Sequence, residues 1–77
     1  MMHVAKLEKS RRLQAILALL RERGPRGATT KEISDASGAL NPATEVSALR
    51  HNGVSISCEY QETTETGSKV YRYWLVA

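Results

Sequence analysis

The clearest pattern along the chain is an apolar stripe with the period of a helix. Its members recur at the spacing i, i+3, i+4 and i+7, on one helix face: Leu13, Ile16, Leu17 and Leu20. Ser10 is a candidate N-cap, and Gly24–Pro25 stops the helix, because glycine suits the C-terminal cap and proline cannot continue a helix. The pattern therefore predicts a first helix over residues 10–23, preceded by a polar leader over residues 1–9.

Capping residues indicate a second, shorter helix. Thr29 and Glu32 have the spacing of a capping box, in which each side chain accepts a hydrogen bond from the other residue's backbone N–H. This spacing predicts a helix over residues 30–37, with Ile33 and Ala36 facing inward.

A tight turn over residues 37–39 leads to a third helix. Asn41 is its candidate N-cap, Pro42 takes the first helical position, and the helix is expected to end at about His51. A rotation of about 100° per residue places one set of residues on the buried side: Pro42, Val46, Leu49 and Gly53. The opposite, exposed side is predicted to carry small or short polar side chains: Asn41, Thr44, Ser47, Ala48 and His51.

Beyond Gly53 the apolar period changes from that of a helix to that of a strand. A strand is predicted over residues 54–60, with one face formed by alternating residues: Val54, Ile56, Cys58 and Tyr60. Because Cys58 shares the face of Val54 and Ile56, we expect it to be a buried small hydrophobe.

The remaining residues complete a hairpin. Residues 61–68 are polar and predict a loop, and residues 69–76 are β-branched and aromatic, which is typical of a strand. One face of this last strand carries Tyr71, Tyr73 and Leu75, and the other carries Val70, Arg72 and Trp74. Ala28–Thr29, just before the second helix, is a candidate short strand that pairs with the hairpin.

This order of elements predicts an α+β fold. A short helix, a turn that contains glycine and a capped helix form a helix-turn-helix, and a hairpin directly after it makes the motif winged. We therefore expect a winged helix-turn-helix domain over residues 10–77, with three helices followed by a two-stranded β-hairpin wing.

Composition narrows the class of protein. The chain has 77 residues, enough for one small domain, and its formal net charge of +3 suits a polyanionic partner. It has no long apolar run and one cysteine, so we expect no membrane association, no disulfide, no metal site, no cofactor and a cytoplasmic location. No nucleophile with a plausible base and no glycine-rich phosphate loop is present, so we predict neither an enzyme nor a small-molecule substrate.

The exposed side of the third helix is the candidate interface with double-stranded DNA. It has no carboxylate, and short polar side chains can approach base edges, where asparagine pairs with adenine and serine or threonine with several bases. The predicted base-facing residues are Asn41, Thr44, Ser47 and His51. The predicted phosphate-binding residues are Arg11, Arg12, Lys31, Arg50 and Lys69. Glu45 lies on the flank of the third helix, toward its buried side, and would meet a DNA backbone unfavourably.

The sequence resembles the small winged helix-turn-helix proteins of phages, prophages and other mobile elements of bacteria. The likeness runs from about Ser10 to Ile56 and rests on a spaced set of residues: Ile16, Leu17, Leu20, Arg21, Glu22, Gly24, Thr29, Thr30, Glu32, Gly38, Val46, Leu49, Arg50, Gly53 and Ile56. The resemblance implies a compact DNA-binding domain that acts in transcription control or as a recombination accessory factor.

Two functions stay open at this point. The first is a DNA-binding regulator or recombination accessory factor, and the second is a winged-helix module that binds protein, which the acidic wing and Glu45 favour. Five candidate cations make a small phosphate footprint, so a DNA-binding form is expected to be a homodimer or a cooperative assembly. Leu19 is either a lone exposed apolar residue or part of a dimer contact, together with Trp74 or Tyr73.

Overall fold

The computed structural model describes residues 6–76 and contains, within that range, three α-helices and one antiparallel sheet of three strands. The elements follow one another as α1 (Arg11–Arg23), β1 (Ala28–Thr29), α2 (Thr30–Ser37), α3 (Pro42–His51), β2 (Ile56–Thr63) and β3 (Lys69–Leu75). The α+β class and the bounds of the three helices are therefore confirmed.

Side-chain caps begin the helices where the sequence places them. Ser10 Oγ accepts a hydrogen bond from the N–H of Leu13 at 3.2 Å, which fixes the start of α1. Asn41 Oδ1 accepts from the N–H of Thr44 at 3.4 Å, and Pro42 occupies the first position of α3. Each cap offers an acceptor to a backbone N–H of the first helical turn, which lies before the regular hydrogen bonds of the helix begin.

The capping box at α2 is complete. Thr29 Oγ1 accepts from the N–H of Glu32 at 3.2 Å, and Glu32 Oε1 accepts from the N–H of Thr29 at 3.0 Å. Arg23 of α1 lies 2.8 Å from the other carboxylate oxygen of Glu32. The backbone N–H of Thr29, followed by the guanidinium of Arg23, lowers the pKa of Glu32. One carboxylate therefore caps α2 and ties it to α1.

The sheet has three strands, because the candidate short strand Ala28–Thr29 pairs as β1 with the two-stranded hairpin. Its order is β1-β3-β2, with Ala28 opposite Tyr73 and Ile56 opposite Leu75. The pairing of β1 adds a strand beside the central strand β3. Strand β2 also continues to Thr63, so the loop spans residues 64–68 and not 61–68. A bulge between Tyr60 and Glu62 interrupts the hairpin register.

Gly27 permits the close approach of β1 to β3. Its φ is +66°, and a Cβ atom built on it would overlap the backbone carbonyl of Tyr73. A residue with a side chain would therefore push the two strands apart. On the other side of this pairing, Thr30 Oγ1 accepts from the N–H of Tyr71 at 3.1 Å, which joins the start of α2 to β3.

The core lies between the helices and the central strand. Its buried residues come from all three helices and the three strands: Leu13, Ile16, Leu17, Leu20, Ala28, Ile33, Val46, Leu49, Ile56 and Tyr73. Leu19 is partly buried and packs against this core, so it is not a lone exposed residue, and a dimer contact by its remaining surface stays a prediction. Leu7 also packs against the core from a 3-10 turn, Leu7–Lys9, so the predicted leader contributes to the domain.

Four predictions of burial are wrong. Ala36 and Gly53, expected inside, are exposed, and Ala48, expected on the exposed side of α3, is partly buried against the core. Cys58 is exposed because β2 is an edge strand and runs beyond the helices after Ile56. Alternation identifies the two faces of a strand, but only the neighbouring elements decide how much of a face is covered.

Candidate nucleic-acid interface

One side of α3 is exposed along its whole length. Pro42, Val46 and Leu49 are buried, and the side facing away from them carries the four residues predicted to face base edges: Asn41, Thr44, Ser47 and His51, all exposed. We call this surface the α3 face. Asn41 uses its side-chain oxygen to cap the helix, so its amide nitrogen is the group that can act as a donor on this surface.

Glu45 does not compete with this surface. Its carboxylate lies 3.8 Å from the guanidinium of Arg12 in α1, and only 16% of its side chain is exposed. The side chain of Arg12 is 57% exposed, so the pair is open to solvent on the arginine side. The carboxylate is therefore turned toward α1 and away from the α3 face, which keeps that face without an exposed acid.

Arg50, predicted to reach phosphate, makes hydrogen bonds inside the domain. Its Nε donates to the carbonyl oxygen of Ile56 at 3.1 Å, and a terminal nitrogen donates to the same oxygen at 2.7 Å. These bonds join the last turn of α3 to the first residue of β2. Arg50 thus positions the hairpin relative to the α3 face.

Residues 6–12, which we call the basic segment, lead into the first turn of α1 and lie beside α3. The N–H of Leu7 donates to Asn52 Oδ1 at 3.0 Å, just after the end of α3. The cations of this segment are exposed: Lys6, Lys9, Arg11 and Arg12. Contacts at Asn52 and at Glu45 fix the segment near both ends, so its positive charge runs along one flank of α3.

The other two predicted phosphate-binding residues lie away from this segment. Lys31, in the first turn of α2, pairs with Asp35 at 3.5 Å, and both side chains are largely exposed. Lys69 is exposed at the start of β3, opposite Thr63 near the loop of the hairpin. Exposed pairs of this kind are weak, so Lys31 remains available to an anion.

The outer part of the hairpin, which we call the wing and define as residues 58–70, is exposed and acidic. Its glutamates are all exposed: Glu59, Glu62 and Glu65. They outnumber Lys69, the cation of this segment. Tyr60 is 51% exposed. Its ring contacts the ring of Tyr71 edge-to-face, with 5.9 Å between the centroids, and its hydroxyl forms a hydrogen bond with the hydroxyl of Thr63.

Of the aromatic residues predicted for a dimer contact, Tyr73 is used inside the domain and Trp74 in part. Tyr73 is only 4% exposed, and burial, with a smaller effect of the nearby Cys58 thiol, raises its pKa. The guanidinium of Arg72 lies 4.6 Å from the centroid of the Trp74 ring and donates to the carbonyl oxygens of Pro25 and Arg26. Tyr73 is thus not available to a partner, and the half-buried Trp74 is covered in part by Arg72.

Leu40 is an exposed large hydrophobic residue that the sequence patterns did not identify as part of the site. It precedes the N-cap of α3 and is 100% exposed. A leucine at this position often packs on the residue four places after the N-cap, as a hydrophobic staple. Here that residue is Glu45, which pairs with Arg12. The acidic residue at the staple position was the signal in the sequence that Leu40 has no intrahelical partner.

Comparisons with protein-family models, with curated proteins and with solved structures give no match to this chain. Within residues 6–76, no helix is both long and apolar enough to cross a membrane. No group of three or more histidine, cysteine, aspartate or glutamate side chains in the same range is arranged to hold a metal ion.

Proposed function

We propose that this chain is a winged helix-turn-helix protein that binds double-stranded DNA, with α3 as the recognition helix in the major groove. Helices α2 and α3 form the helix-turn-helix, with Gly38 in the left-handed conformation at the end of α2. The wing, at the outer end of the hairpin β2–β3, lies beside the neighbouring DNA backbone. As a regulator or a recombination accessory factor, the protein needs no cofactor.

The observation that carries this proposal is the chemistry of the α3 face. Thr44 and Ser47 present hydroxyls, Asn41 presents an amide nitrogen, and Glu45 is drawn to Arg12. Base edges in the major groove carry both donors and acceptors, and small neutral side chains pair with them without charge repulsion. In helix-turn-helix docking, the amino-terminal part of the recognition helix contacts the bases, which is where these residues lie.

Phosphate binding is assigned mainly to the basic segment, residues 6–12. Lys6, Lys9 and Arg11 flank α3, and Arg12 joins them because its pairing with Glu45 is partly open to solvent. Lys31 and Lys69 add one cation each at other points, whereas Arg50 acts by holding the hairpin. Cations on the flank of a recognition helix fix its register on the duplex without reading sequence.

The experiment that tests the proposal compares two serine substitutions in a mobility-shift assay with random duplex at low salt. Ser47→Glu places a carboxylate on the α3 face. Ser55→Glu makes the same change of charge on an exposed serine beside the groove formed by Leu20 and Pro25, at the carboxyl end of α1. We expect Ser47→Glu to lose binding and Ser55→Glu to retain most of it. Equal affinities of the two variants would place the DNA surface elsewhere.

The size of the phosphate contact implies assembly on DNA. The six cations assigned to phosphate give a slope of log affinity against log salt no steeper than roughly −5 to −6. A single domain of this kind has a small interface, so specific binding at physiological salt needs a homodimer or cooperative binding on half-sites about one helical turn apart. Sedimentation with and without DNA tests this, and nanomolar one-to-one binding by a monomer would contradict it.

The second candidate function is a winged-helix module that binds protein. The observation that favours it is the acidic wing, since a hairpin that grips phosphate usually presents arginine or lysine. Glu59, Glu62 and Glu65 are exposed there and face a basic partner more readily than DNA. No binding of the wild-type chain to heparin or to random duplex at low salt would favour this function over the first.

A further inference from the structure

Leu40 and the amino end of α3 form a neutral surface with exposed methyl groups. Leu40 is fully exposed, and Ala43, beside the α3 face, and Thr44, on that face, are exposed as well. None of the three carries a charge. Asn41 and Ser47, exposed between and beyond them, are neutral too, so the surface combines apolar carbon with a few hydrogen-bonding groups.

The packing of the domain does not require Leu40 to be a leucine. The residue that a hydrophobic staple would use is Glu45, and it is held by Arg12. The adjacent Ala39 is buried, so the turn between α2 and α3 is anchored by alanine and not by the larger side chain. A fully exposed leucine beside a surface proposed to contact DNA is placed where it can contact an apolar group of the ligand.

We infer that Leu40, with Ala43 and Thr44, contacts thymine methyl groups, so that the protein reads A·T base pairs from the major groove. The C5-methyl of thymine is the apolar group on the major-groove edges of the four bases, and alanine and threonine methyls are known contacts for it. The Asn41 amide nitrogen, left unused by the cap, suits the acceptors on the same base pairs.

The position of Arg50 in α3 also favours A·T over G·C base pairs. Guanine is read most often by two donors of an arginine or lysine. Arg50 directs two of its nitrogens to the carbonyl of Ile56, and the amino end of α3, from Leu40 to Ser47, contains no arginine or lysine. The α3 face therefore has the groups that recognise thymine and adenine, and it lacks the usual pair of donors for guanine.

This inference rests on the proposed function, and its test separates the two. The probes are three DNA duplexes of equal length, with alternating A·T, alternating A·U and alternating G·C pairs. The A·U duplex contains deoxyuridine in place of thymidine. Uracil differs from thymine only in the major-groove methyl, so minor-groove contacts and phosphate contacts are the same in the first two duplexes. Affinities are measured at one low salt concentration by fluorescence anisotropy.

We expect the wild-type chain to bind the A·T duplex more tightly than the A·U duplex, on the order of fourfold for each methyl that it covers. Leu40→Ser should reduce this ratio and leave the affinity for the A·U duplex nearly unchanged. Val76→Ser is the control. It removes an exposed aliphatic side chain directly after the end of β3 and should keep the wild-type ratio.

Equal wild-type affinities for the A·T and A·U duplexes would overturn the inference and leave DNA binding intact. Tighter binding to the G·C duplex, or a ratio that Leu40→Ser does not change, would also overturn it. No binding to any of the three duplexes would overturn the proposed function and this inference with it, and would assign Leu40 to a protein-binding surface.

Discussion

The helical part of the domain and its wing are stabilised in different ways. In the helical part, Arg11–His51, each helix begins at a side-chain cap, α1 and α3 bury apolar stripes and α2 buries Ile33. Arg23 and Arg12 link α1 to α2 and α3. The wing, residues 58–70, is held by strand pairing and by the contact of Tyr60 with Tyr71.

The two regions also differ in charge. The wing carries three glutamates and one cation, whereas the remainder of the chain carries ten cations and five acids. A polyanion is therefore attracted to the body of the domain, and the acidic wing limits how closely its backbone approaches the hairpin. The contrast places most of the stability in the same helices to which we assign DNA binding, and from its charge we expect the wing to adjust the affinity.

The largest expected effect comes from breaking the link between the helices and the sheet. In Gly27→Ala, the new Cβ overlaps the carbonyl of Tyr73, which separates β1 from β3. We expect a loss on the order of 4 kcal/mol, enough to unfold a domain of this size. Gly67→Ala, which also has a positive φ but open space around it, should lose about 1 kcal/mol. Circular dichroism during thermal unfolding measures both, and equal losses would contradict the overlap.

One alanine substitution in the helical part and one in the wing compare how much each region stabilises the domain. Leu49→Ala removes a fully buried side chain of α3 and should lower the free energy of unfolding by about 3 kcal/mol. Tyr60→Ala removes an exposed ring of the wing, and its loss should stay within about 1 kcal/mol. Urea denaturation gives both values. A larger loss for Tyr60→Ala would show that the wing stabilises the domain.

The capping box predicts a pH dependence. Thr29→Ala should lower the free energy of unfolding by about 1 kcal/mol. Glu32→Gln keeps an acceptor for the N–H of Thr29 but loses the charge that pairs with Arg23, so its loss should be smaller. Because the pKa of Glu32 is lowered in the folded state, its stabilisation is complete above its ordinary pKa and is lost as the pH falls through the lowered pKa.

The measurement for Glu32 is the free energy of unfolding of the wild type and Glu32→Gln between neutral and acid pH. The difference between the two proteins should shrink as the pH falls. A difference that is constant or grows in acid would show that the carboxylate does not act through its charge.

The smallest expected effect concerns the wing. The double substitution of Glu62→Gln and Glu65→Gln removes two exposed charges and should raise the affinity for duplex DNA a few-fold at low salt, since the repulsion is lost. At high salt, screening should abolish the gain. Glu22→Gln, at the carboxyl end of α1, is the control for a general change of net charge. A lower affinity of the double variant would mean that the wing acids take part in binding.

Local signals in the sequence predicted the helices well. Ser10, the Thr29–Glu32 box and Asn41–Pro42 define helix starts through contacts a few residues apart, and all are present. Burial was predicted less well. Cys58 is exposed and Ala48 is partly covered because neighbours distant in sequence decide their exposure.

For the candidate site, the exposed residues of α3 were predictable from helical projection, since one face is needed for the core. The uses of the cations were not. The pairing of Arg12 with Glu45, and the bonds of Arg50 to the carbonyl of Ile56, depend on the arrangement of whole elements. Long side chains reach several partners, and sequence spacing alone does not choose among them.

The most direct test of the central claim follows the backbone amide chemical shifts of the whole domain as duplex DNA is added at low salt. The account predicts that the largest changes occur at Asn41–His51 and in the basic segment, residues 6–12, with smaller changes in the wing. Changes confined to the wing, or none at a concentration of DNA that exceeds that of the protein, would contradict it.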